Sequence, residues 1–525
     1  MDKNNAQIGK DVIESLTLGM YEDCRFIYRE YIQNSADQID KAKVMGILSN
    51  SEDEIHVFID PYERKIVIED NATGIETDKV VPVLRNIAHS TKKRGEDKGF
   101  RGIGRLGGLG YCSKLHFETS YKGEPVKSIM TWDAELLKFI INDRDTKEEA
   151  VDVLVRVTDT QVYKEDIDKH YFKVILEDVT SDDLLDVDSV REYLSMVAPV
   201  DIDSRFMFRN NINMFMREHS LSVDTYNIYV NGDQIYKPYT NYIYEDNNGG
   251  KKKVDEILDV KFLLQTDENN EIMYWGWYTL SQLNGQMKPK NIARGIRLRK
   301  ENIQIGDEEI CKKFFSKTED QRFSFYYFGE IHAVSKGLIP NSRRDYFGES
   351  RECMEFERRI KADFLQLKEI CYDVQRLRSS AKTITKTEEL RAKIQDKNKN
   401  GYTSPKERDD LQRQFEDYKS KAIQARKQLD NMTTRLNNSD SPLRDILGHL
   451  APINLPQEQE TTKEKQQTTQ TPIKALYRTD NPIYSRFSRS EKKLIRQIYS
   501  SITNALPDEK QCEVLISKIE EDITR

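Results

Sequence analysis

The period of hydrophobic and polar positions changes several times along the chain, and each period predicts a different kind of element. Apolar and polar residues alternate in IHVFID, from Ile55, and in KIVIED, from Lys65. This alternation predicts two strands joined by a turn near Pro61. The second of these strands is expected to end at Asp70.

Strand-like segments recur further along the chain, and they predict two α/β domains. VDVLVRV from Val151 and FKVILEDV from Phe172 complete an α/β sandwich over residues 1–188. A second α/β domain over residues 189–352 has these candidate strands: YNIYVNG from Tyr226, VKFLLQ from Val260, MYWGWYTL from Met273, GIRLRKENIQIG from Gly295 and FSFYYFGEIHAV from Phe323.

Beyond residue 352 the pattern becomes helical and highly charged. A spacing of four and three, typical of a coiled coil, links Leu411, Phe415, Tyr418, Ala422, Ala425, Leu429, Met432 and Leu436. With a similar apolar stripe upstream and a bend near Gly401, it predicts a coiled-coil hairpin over residues 353–445. A capping box at Ser404 marks the second helix, and a polar linker (446–480) and a helical tail (481–525) follow. The tail is expected to carry on one face Leu494, Ile495, Ile498 and Ile502.

Composition narrows the class of protein. The 525 residues are 37% hydrophobic and 33% charged, with a formal net charge of -7, which argues against electrostatic binding of nucleic acid by the chain as a whole. The six cysteines form no C-x-x-C pair, so neither a zinc module nor a disulfide framework is expected. We find no signal peptide or membrane-spanning pattern and expect a cytoplasmic protein without membrane contact.

The glycine-rich stretch GFRGIGRLGGLG, from Gly99, contains two phosphate-binding patterns in overlapping register. G-x-G-x-x-G from Gly102 is the dinucleotide fingerprint, but it must follow a buried apolar strand, and STKKRGEDKGFR before it is too polar. G-x-x-G-x-G from Gly99 belongs to another class of ATP site. A P-loop sequence does not occur.

The helix REYIQNSADQID, from Arg29, supports this second register. At 100° per residue, Glu30, Asn34 and Asp37 share an arc of roughly 60°, opposite an apolar back. An amide oxygen at Asn34 can ligate Mg²⁺ held by phosphates, and Glu30 can orient or deprotonate water. Taken alone, the same pattern also fits a solvated helix face.

The segment IEDNATG provides the third signal. Asp70 at a strand end can accept a hydrogen bond from the amine of adenine, and Gly74 permits a tight loop. Downstream, Gly99, Gly102 and Gly104 let backbone amides approach phosphates, and a helix is expected to begin there. A polar turn and a flexible glycine loop are the alternative interpretations of each feature alone. Their order along the chain favours one nucleotide site.

These motifs resemble the boxes of the GHKL ATPases, which include gyrase B, MutL, histidine kinases and the ninety-kilodalton heat-shock chaperones. The chaperone branch fits best, because RNIAHST from Arg85 resembles its lid start and GEIHAVSKGLIPNSRRDYF from Gly329 resembles the segment with its phosphate-sensing arginine. The resemblance covers roughly residues 10 to 355. It implies an α+β fold: a Bergerat ATP-binding sandwich and a middle transducer domain, which the helical coiled-coil region would follow.

The resemblance also implies roles for individual residues. Glu30 would be the general base, Arg344 the catalytic cation and Asn34 the Mg²⁺ ligand, with Arg343 or Lys300 as alternatives to Arg344. The implied nucleotide-binding residues are Asn34, Asp37, Asp70, Gly74, Ser90, Gly99, Gly102, Ile103 and Gly104. ATP and Mg²⁺ are the expected substrate and cofactor.

The sequence departs from the family pattern at four places. Ala72 replaces the first glycine after Asp70, which is tolerable if its φ is negative. His170 lies near the position of a missing Gly-Thr pair, and Val83 and His89 replace polar residues near the nucleotide. The family's threonine contact is therefore not carried over.

We expect a Mg²⁺-dependent ATPase that acts as an ATP-gated homodimeric clamp or chaperone-like machine, with a protein client or partner bound through its helical region. The alternatives are a DNA-associated clamp resembling MutL or the MORC proteins, a bacterial antiphage-defence component, and a nucleotide-binding scaffold with negligible hydrolysis. DNA is a further candidate partner, although the basic runs from Lys92 and Lys251 also fit solvated loops. The three tryptophans are expected in the core.

Overall fold

The computed structural model describes residues 9–17, 23–49, 51–87, 104–143, 145, 147–247, 250–437, 484–505 and 509–524. The chain divides into two compact units, Met1–Lys368 and Glu369–Arg525. The predicted α+β class is confirmed, because the first unit holds two β-sheets with helices and the elements described in the second unit are helices. The predicted domain boundaries stay predictions.

The first sheet of the first unit has eight strands in the order β5-β4-β3-β6-β2-β1-β7-β8. The predicted hairpin is confirmed: β1 and β2 pair antiparallel, with Ile55 opposite Asp70, and Arg64 adopts a φ of 47° at the turn. The strands are β1 Ile55–Asp60, β2 Lys65–Asp70, β3 Lys114–Ser120, β4 Val126–Asp133, β5 Thr158–Lys164, β6 Tyr171–Glu177, β7 Ile228–Val230 and β8 Asp233–Gln234.

Six helices share one hydrophobic core with this sheet, and Trp132 lies fully buried within it, as predicted. The helices are α1 Asp11–Thr17, α2 Phe26–Val44, α3 Val80–Leu84, α4 Ala134–Asn142, α5 Ala150–Arg156 and α6 Val187–Val197. Short 3₁₀ segments are Thr77–Lys79, Gly104–Gly110 and Asp182–Leu184. The helix expected after the glycines is thus this single 3₁₀ segment from Gly104, after which the chain enters β3.

One strand prediction in this region was wrong. The segment from Val151 is helix α5, because its buried positions, Ala150, Val153 and Val157, follow helical spacing while Val151 is 66% exposed. The strand predicted from Tyr226 does form, but it belongs to the first sheet, where β7 runs parallel to β1. The valines of this segment favour a strand by intrinsic propensity, but tertiary packing selects a helix.

The second sheet of this unit has six strands in the order β13-β12-β14-β11-β10-β9, and its core holds Trp275 and Trp277 as predicted. The strands are β9 Tyr242–Asn247, β10 Gly250–Thr266, β11 Ile272–Ser281, β12 Gly295–Lys300, β13 Ile303–Ile305 and β14 Phe328–Ala333. Helix α7 Arg209–Glu218 and the 3₁₀ segments Ile310–Phe314 and Thr318–Tyr326 accompany it. The predicted strand from Phe323 therefore begins only at Phe328.

Long helices follow: α8 Arg351–Asn400, which begins in the first unit, α9 Pro405–Asn437, α10 Arg489–Ala505 and α11 Glu509–Thr524. In the second unit α8 and α9 run antiparallel, as predicted, since Ser380 and Gln428 hydrogen-bond at 3.3 Å and Lys397 and Glu407 pair at 2.6 Å. The coiled-coil interpretation stays a prediction, and residues 438–483 lie outside the described chain.

The predicted apolar face of the tail divides in the structure. Ile495 is buried and Ile502 is partly buried in the core of the second unit, whereas Leu494 and Ile498 are exposed. Tyr499 takes the second buried position on α10. Across all helices within the described residues, none combines the length and the apolar character that crossing a membrane requires.

Candidate functional site

Helix α2 carries the predicted carboxylate-amide-carboxylate face. Its apolar back is buried as the sequence indicates, including Tyr28 and Ile32. On the other side, Glu30 and Asn34 are partly exposed, whereas Asp37 is 5% exposed. The helix is thus fixed by burial on most of its circumference, and Glu30 and Asn34 are its accessible polar groups on this face.

Glu30 lies between a glycine of the first sheet domain and an arginine from far along the chain. Its Oε1 atom is 3.2 Å from Nε of Arg344, and both side chains are 12% exposed. A methyl group on Gly104 would lie 2.2 Å from Glu30 Oε2, so only glycine fits there without displacement. The structure therefore brings together three of the residues that the sequence singled out.

Arg344 adopts a backbone conformation that favours glycine. Its φ is 55°, within a loop closed by hydrogen bonds from Arg344 N to Asn341 O (3.2 Å) and from Asn341 N to Tyr346 O (2.8 Å). A left-handed residue of this size costs on the order of 1 kcal/mol, and such outliers concentrate at functional sites. The loop holds the side chain in place against this local cost.

The two alternatives to Arg344 point elsewhere. The Arg343 side chain is exposed, and only its carbonyl faces α2, where it accepts a hydrogen bond from Arg29 Nη2 at 3.2 Å. Lys300 donates to the carbonyls of Ser335 (2.9 Å) and Val334 (3.3 Å). Of the three cations, Arg344 is the one that contacts Glu30.

Asp70 ends β2 in a fully enclosed position, with 1% of its surface exposed. Burial raises the pKa of this carboxyl to about 7, against hydrogen bonds from Ser35 and from the backbone N–H of Ala72, which lower it. The Ala72 N–H donates to Oδ1 at 3.1 Å. The groups that shift this pKa do not include a cation. Such a buried carboxyl is suited to accept a hydrogen bond from a neutral donor, such as the amine of a nucleobase.

The loop after Asp70 is tightly determined. Ala72 is buried and is not among the described residues with positive φ, so the alanine is accommodated as the sequence analysis required. Gly74 has a φ of 67°, and a methyl group there would lie 1.9 Å from the carbonyl oxygen of Ser120. The glycine is therefore obligatory at this point. His170 Nδ1 lies 2.9 Å from the Ala72 carbonyl and anchors the loop from β6.

The remaining predicted residues divide into two groups. Asn34 and Asp37 lie on α2, and each of them takes part in an interaction. Ser90, Gly99, Gly102 and Ile103 lie outside the described residues, as does His89. No group of three or more acidic, histidine or cysteine side chains suited to a metal ion occurs in the described part of the chain. A metal here would need ligands from the nucleotide besides an amide such as Asn34.

Several residues of the site were missed from the sequence. Arg29 is 1% exposed, its guanidinium lies 4.3 Å from the centre of the Phe26 ring, and it reaches the Arg344 loop through Arg343 O. Ser35 bonds Asp70 from α2, and Thr119 accepts the Ile75 N–H at 2.8 Å. An arginine within an otherwise buried helix was the available signal for Arg29. The other two depend on pairing across elements.

Known proteins are similar to part of this chain. Residues 26–162 match the family of histidine kinase-, DNA gyrase B- and HSP90-like ATPases. This match indicates a GHKL-type domain over these residues. The chain is also similar to the chaperone protein HtpG of Burkholderia lata, with 27% identity over 143 residues, and to those of Burkholderia ambifaria and Burkholderia cenocepacia, each with 26%. Each match covers 24% of this chain and 23% of the relative, so the chain aligns with about a quarter of these chaperones' length.

Replacing Asp70 tests the environment of this carboxyl in the GHKL-type domain. Because the folded pKa is raised to about 7, the native state binds more protons than the unfolded state between pH 4 and 7, and stability falls as pH rises through that window. Asp70→Asn removes this loss. The free energy of unfolding of the variant minus that of the wild type should therefore increase by about 2 to 3 kcal/mol from pH 5 to pH 8.

The measurement is urea denaturation of the full chain followed by tryptophan fluorescence, because all three tryptophans lie in the first unit. Glu63→Gln, at an exposed turn of the same sheet, is the control and should show no such gain. An equal difference between wild type and Asp70→Asn at both pH values would contradict the assignment.

Proposed function

We propose that this protein is a Mg²⁺-dependent ATPase in which Glu30 activates water and Arg344 stabilises the charge of the transferred phosphoryl group. The observation that supports it most directly is the contact between Glu30 of the GHKL-type domain and Arg344 of the loop after β14. Two sequence segments that resemble separate ATPase motifs thus meet at one carboxylate. A surface arginine would have no reason to occupy a left-handed, partly buried position there.

Glu30 has the surroundings that a general base requires. It is partly exposed at a helix face, next to a glycine that leaves no side chain between the carboxylate and the neighbouring backbone. Phosphoryl transfer to water needs positioning and neutralisation of charge more than covalent catalysis. One carboxylate that accepts a proton and one cation nearby therefore suffice for the chemical step.

Asn34 is the residue that we propose for the metal, because it lies one turn of α2 beyond Glu30 and presents an oxygen ligand. Mg²⁺ bound with the nucleotide supplies neutralisation of the phosphate charge. Asn34 would hold this ion through its amide oxygen, and Asp37 would support the same face.

Asp70 is the residue that we propose for the base of the nucleotide. Its carboxyl is buried, tied to Ser35 of α2 and to the loop held by Gly74. An amine of adenine could donate a hydrogen bond to the remaining acceptor capacity of this carboxyl. The glycines from Gly99 to Gly104 and Ser90 complete the proposed nucleotide site.

We extend the proposal to an ATP-gated homodimeric clamp in the cytoplasm, acting on a protein client or partner. This part rests on the similarity to the HtpG chaperones, which covers only 24% of the chain. The described structure offers nothing that favours DNA. In the β9–β10 register Lys251 stands opposite Asp246 and Lys252 stands opposite Glu245. Each of these two lysines therefore faces a residue of opposite charge across the hairpin.

Removing the proposed base should separate turnover from binding. We expect Glu30→Gln to lower kcat for ATP by about 10²- to 10⁴-fold, because proton transfer to the carboxylate is lost, with the Kd for ATP changed less than about threefold. Phosphate release and binding of a fluorescent ATP analogue measure the two quantities. Unaltered turnover, or loss of ATP binding, in Glu30→Gln would contradict the role of Glu30 as general base. A wild type that binds ATP without hydrolysing it would instead be a nucleotide-binding scaffold.

Adjacent arginines provide a matched pair for the proposed cation. Arg344→Ala should lower kcat by about 10²-fold or more, because the charge that faces the transferred phosphoryl group is removed. Arg343→Ala should leave kcat within about twofold, since that side chain is exposed and only its backbone carbonyl contacts α2. Steady-state phosphate release measures both variants. A larger loss in Arg343→Ala than in Arg344→Ala would reverse the assignment.

The raised pKa of Asp70 predicts a pH dependence of nucleoside binding. If the ionised carboxylate accepts a hydrogen bond from the adenine amine, the affinity for adenosine reaches its full value above pH 7. Below pH 7 this affinity falls about tenfold for each pH unit. Adenosine is the probe, because it lacks phosphates that titrate in this range, and calorimetry from pH 5.5 to 8 measures it. A flat profile would show that Asp70 does not bind the base in its ionised form.

A further inference from the structure

A buried polar cluster lies in the second sheet of the first unit, outside the proposed ATP site. We call it the Glu330 cluster. Every member is less than 10% exposed. It consists of Lys237, Tyr239, Arg299, Asn302, Glu330 and His332. Buried charges are costly unless they are paired and hydrogen-bonded, so a cluster of this size needs a structural explanation.

Glu330, on β14, is the centre of the cluster. Its Oε1 accepts a hydrogen bond from Tyr239 Oη at 2.8 Å and lies 2.6 Å from Nε of Arg299, with which it forms an ion pair. Its Oε2 lies 3.0 Å from both Lys237 Nζ and His332 Nε2. Burial raises the pKa of Glu330, but the charges of Arg299 and Lys237 outweigh burial and hold it well below its usual value. The carboxylate thus holds three elements together: the segment after β8, strand β12 and strand β14.

Two members of the cluster reach out of the second sheet. Arg299 Nη2 donates to the carbonyl of Met196, in α6, at 2.7 Å. Asn302, at the β12–β13 turn with a φ of 61°, donates to the carbonyl of Asp224 at 2.8 Å. The β12–β13 hairpin is therefore fixed against α6 and the chain that precedes β7.

The far end of this hairpin holds the loop of the proposed catalytic cation. Gly306, directly after β13, has a φ of 66° and donates its N–H to the carbonyl of Arg344 at 2.9 Å. A methyl group on Gly306 would lie 2.8 Å from the carbonyl oxygen of Asp345. Any shift of the hairpin therefore displaces the backbone of Arg344.

Helix α6 in turn is fixed to the helix that bears the proposed base. Arg25, directly before α2, donates to Ser189 Oγ at 3.2 Å and lies over the ring of Tyr193 at 5.0 Å. Tyr28 donates to the carbonyl of Leu184, just before α6, at 2.6 Å. Both ends of the Glu30–Arg344 contact thus rest on elements that the Glu330 cluster joins.

We propose that Glu330 is a positioning residue for ATP hydrolysis: it fixes the β12–β13 hairpin against α6 and thereby sets Arg344 against Glu30. This inference rests on the proposed function. Glu330 contacts neither nucleotide nor water in this role. It acts through the hairpin, Gly306 and the backbone of Arg344.

Glu330→Gln in the full chain is the first test. We expect kcat to fall at least tenfold while the Kd for ATP changes less than threefold, because the residues proposed to hold the nucleotide lie in the first sheet domain. Tyr274→Phe, which removes a bond from β11 to Asp363, is the control for a lost buried hydrogen bond in the same sheet and should leave kcat unchanged. A rise in the Kd for ATP together with the fall in kcat, or an equal loss of kcat in the control, would overturn the proposal.

A double variant distinguishes positioning from general destabilisation. If Glu330 acts through Arg344, adding Glu330→Gln to Arg344→Ala should lower kcat less than twofold further. A further loss of tenfold, as in the single variant, would show that Glu330 acts by another route. If Glu330→Gln does not fold, Tyr239→Phe replaces it in the same double-variant experiment, because it keeps every charge of the cluster. The expected fall in kcat is then smaller, about threefold.

Amide exchange gives a readout that does not depend on ATP hydrolysis. In Glu330→Gln the N–H groups of Gly306 and Arg344 should exchange at least tenfold faster than in the wild type, while those of β1 and β2 are unchanged. Unchanged exchange at Gly306 and Arg344 would overturn the positioning role. Faster exchange in a protein whose wild type hydrolyses no ATP would contradict the proposed function and leave the mechanical link intact.

Discussion

The ion pair between Glu30 and Arg344 joins two parts of the chain that fold around separate sheets. Each partner is held by its own surroundings: Glu30 by a helix buried on most of its circumference, and Arg344 by a loop that keeps it left-handed. At 12% exposure the pair is neither in bulk water nor deeply buried. Its energy is therefore modest, and its importance lies in geometry, because it fixes where a carboxylate and a guanidinium face the same small volume.

The sequence predicted the positions of these candidate residues on helix, strand and turn where the signal is local. The helical spacing of Glu30, Asn34 and Asp37, the strand that ends at Asp70 and the glycine at position 74 all depend on residues close together in the chain. The meeting of Arg344 with Glu30 could be expected only from a resemblance to a family. No periodicity in either segment shows which of two adjacent arginines turns towards α2, since that depends on the backbone of the loop.

The fold was predicted less well where packing overrides propensity. The valines of α5 have the composition of a strand, yet burial in this segment repeats every three to four residues. This helical period can be recognised in the sequence only if some of the valines are assumed to be exposed. The Glu330 cluster was invisible for a different reason. Its six members come from three separated segments, and charged residues within strands are normally expected at the surface. Contacts of that kind arise from topology, which periodicity does not specify.

The left-handed backbone of Arg344 has a consequence for natural variation. Glycine or asparagine would satisfy a φ of 55° with less strain, so selection for the guanidinium alone would keep arginine at this position. Lineages that retain nucleotide binding but abandon catalysis would be free of that selection. Their loops should drift towards the residues that the main chain prefers, and substitution at this single site would then record the loss.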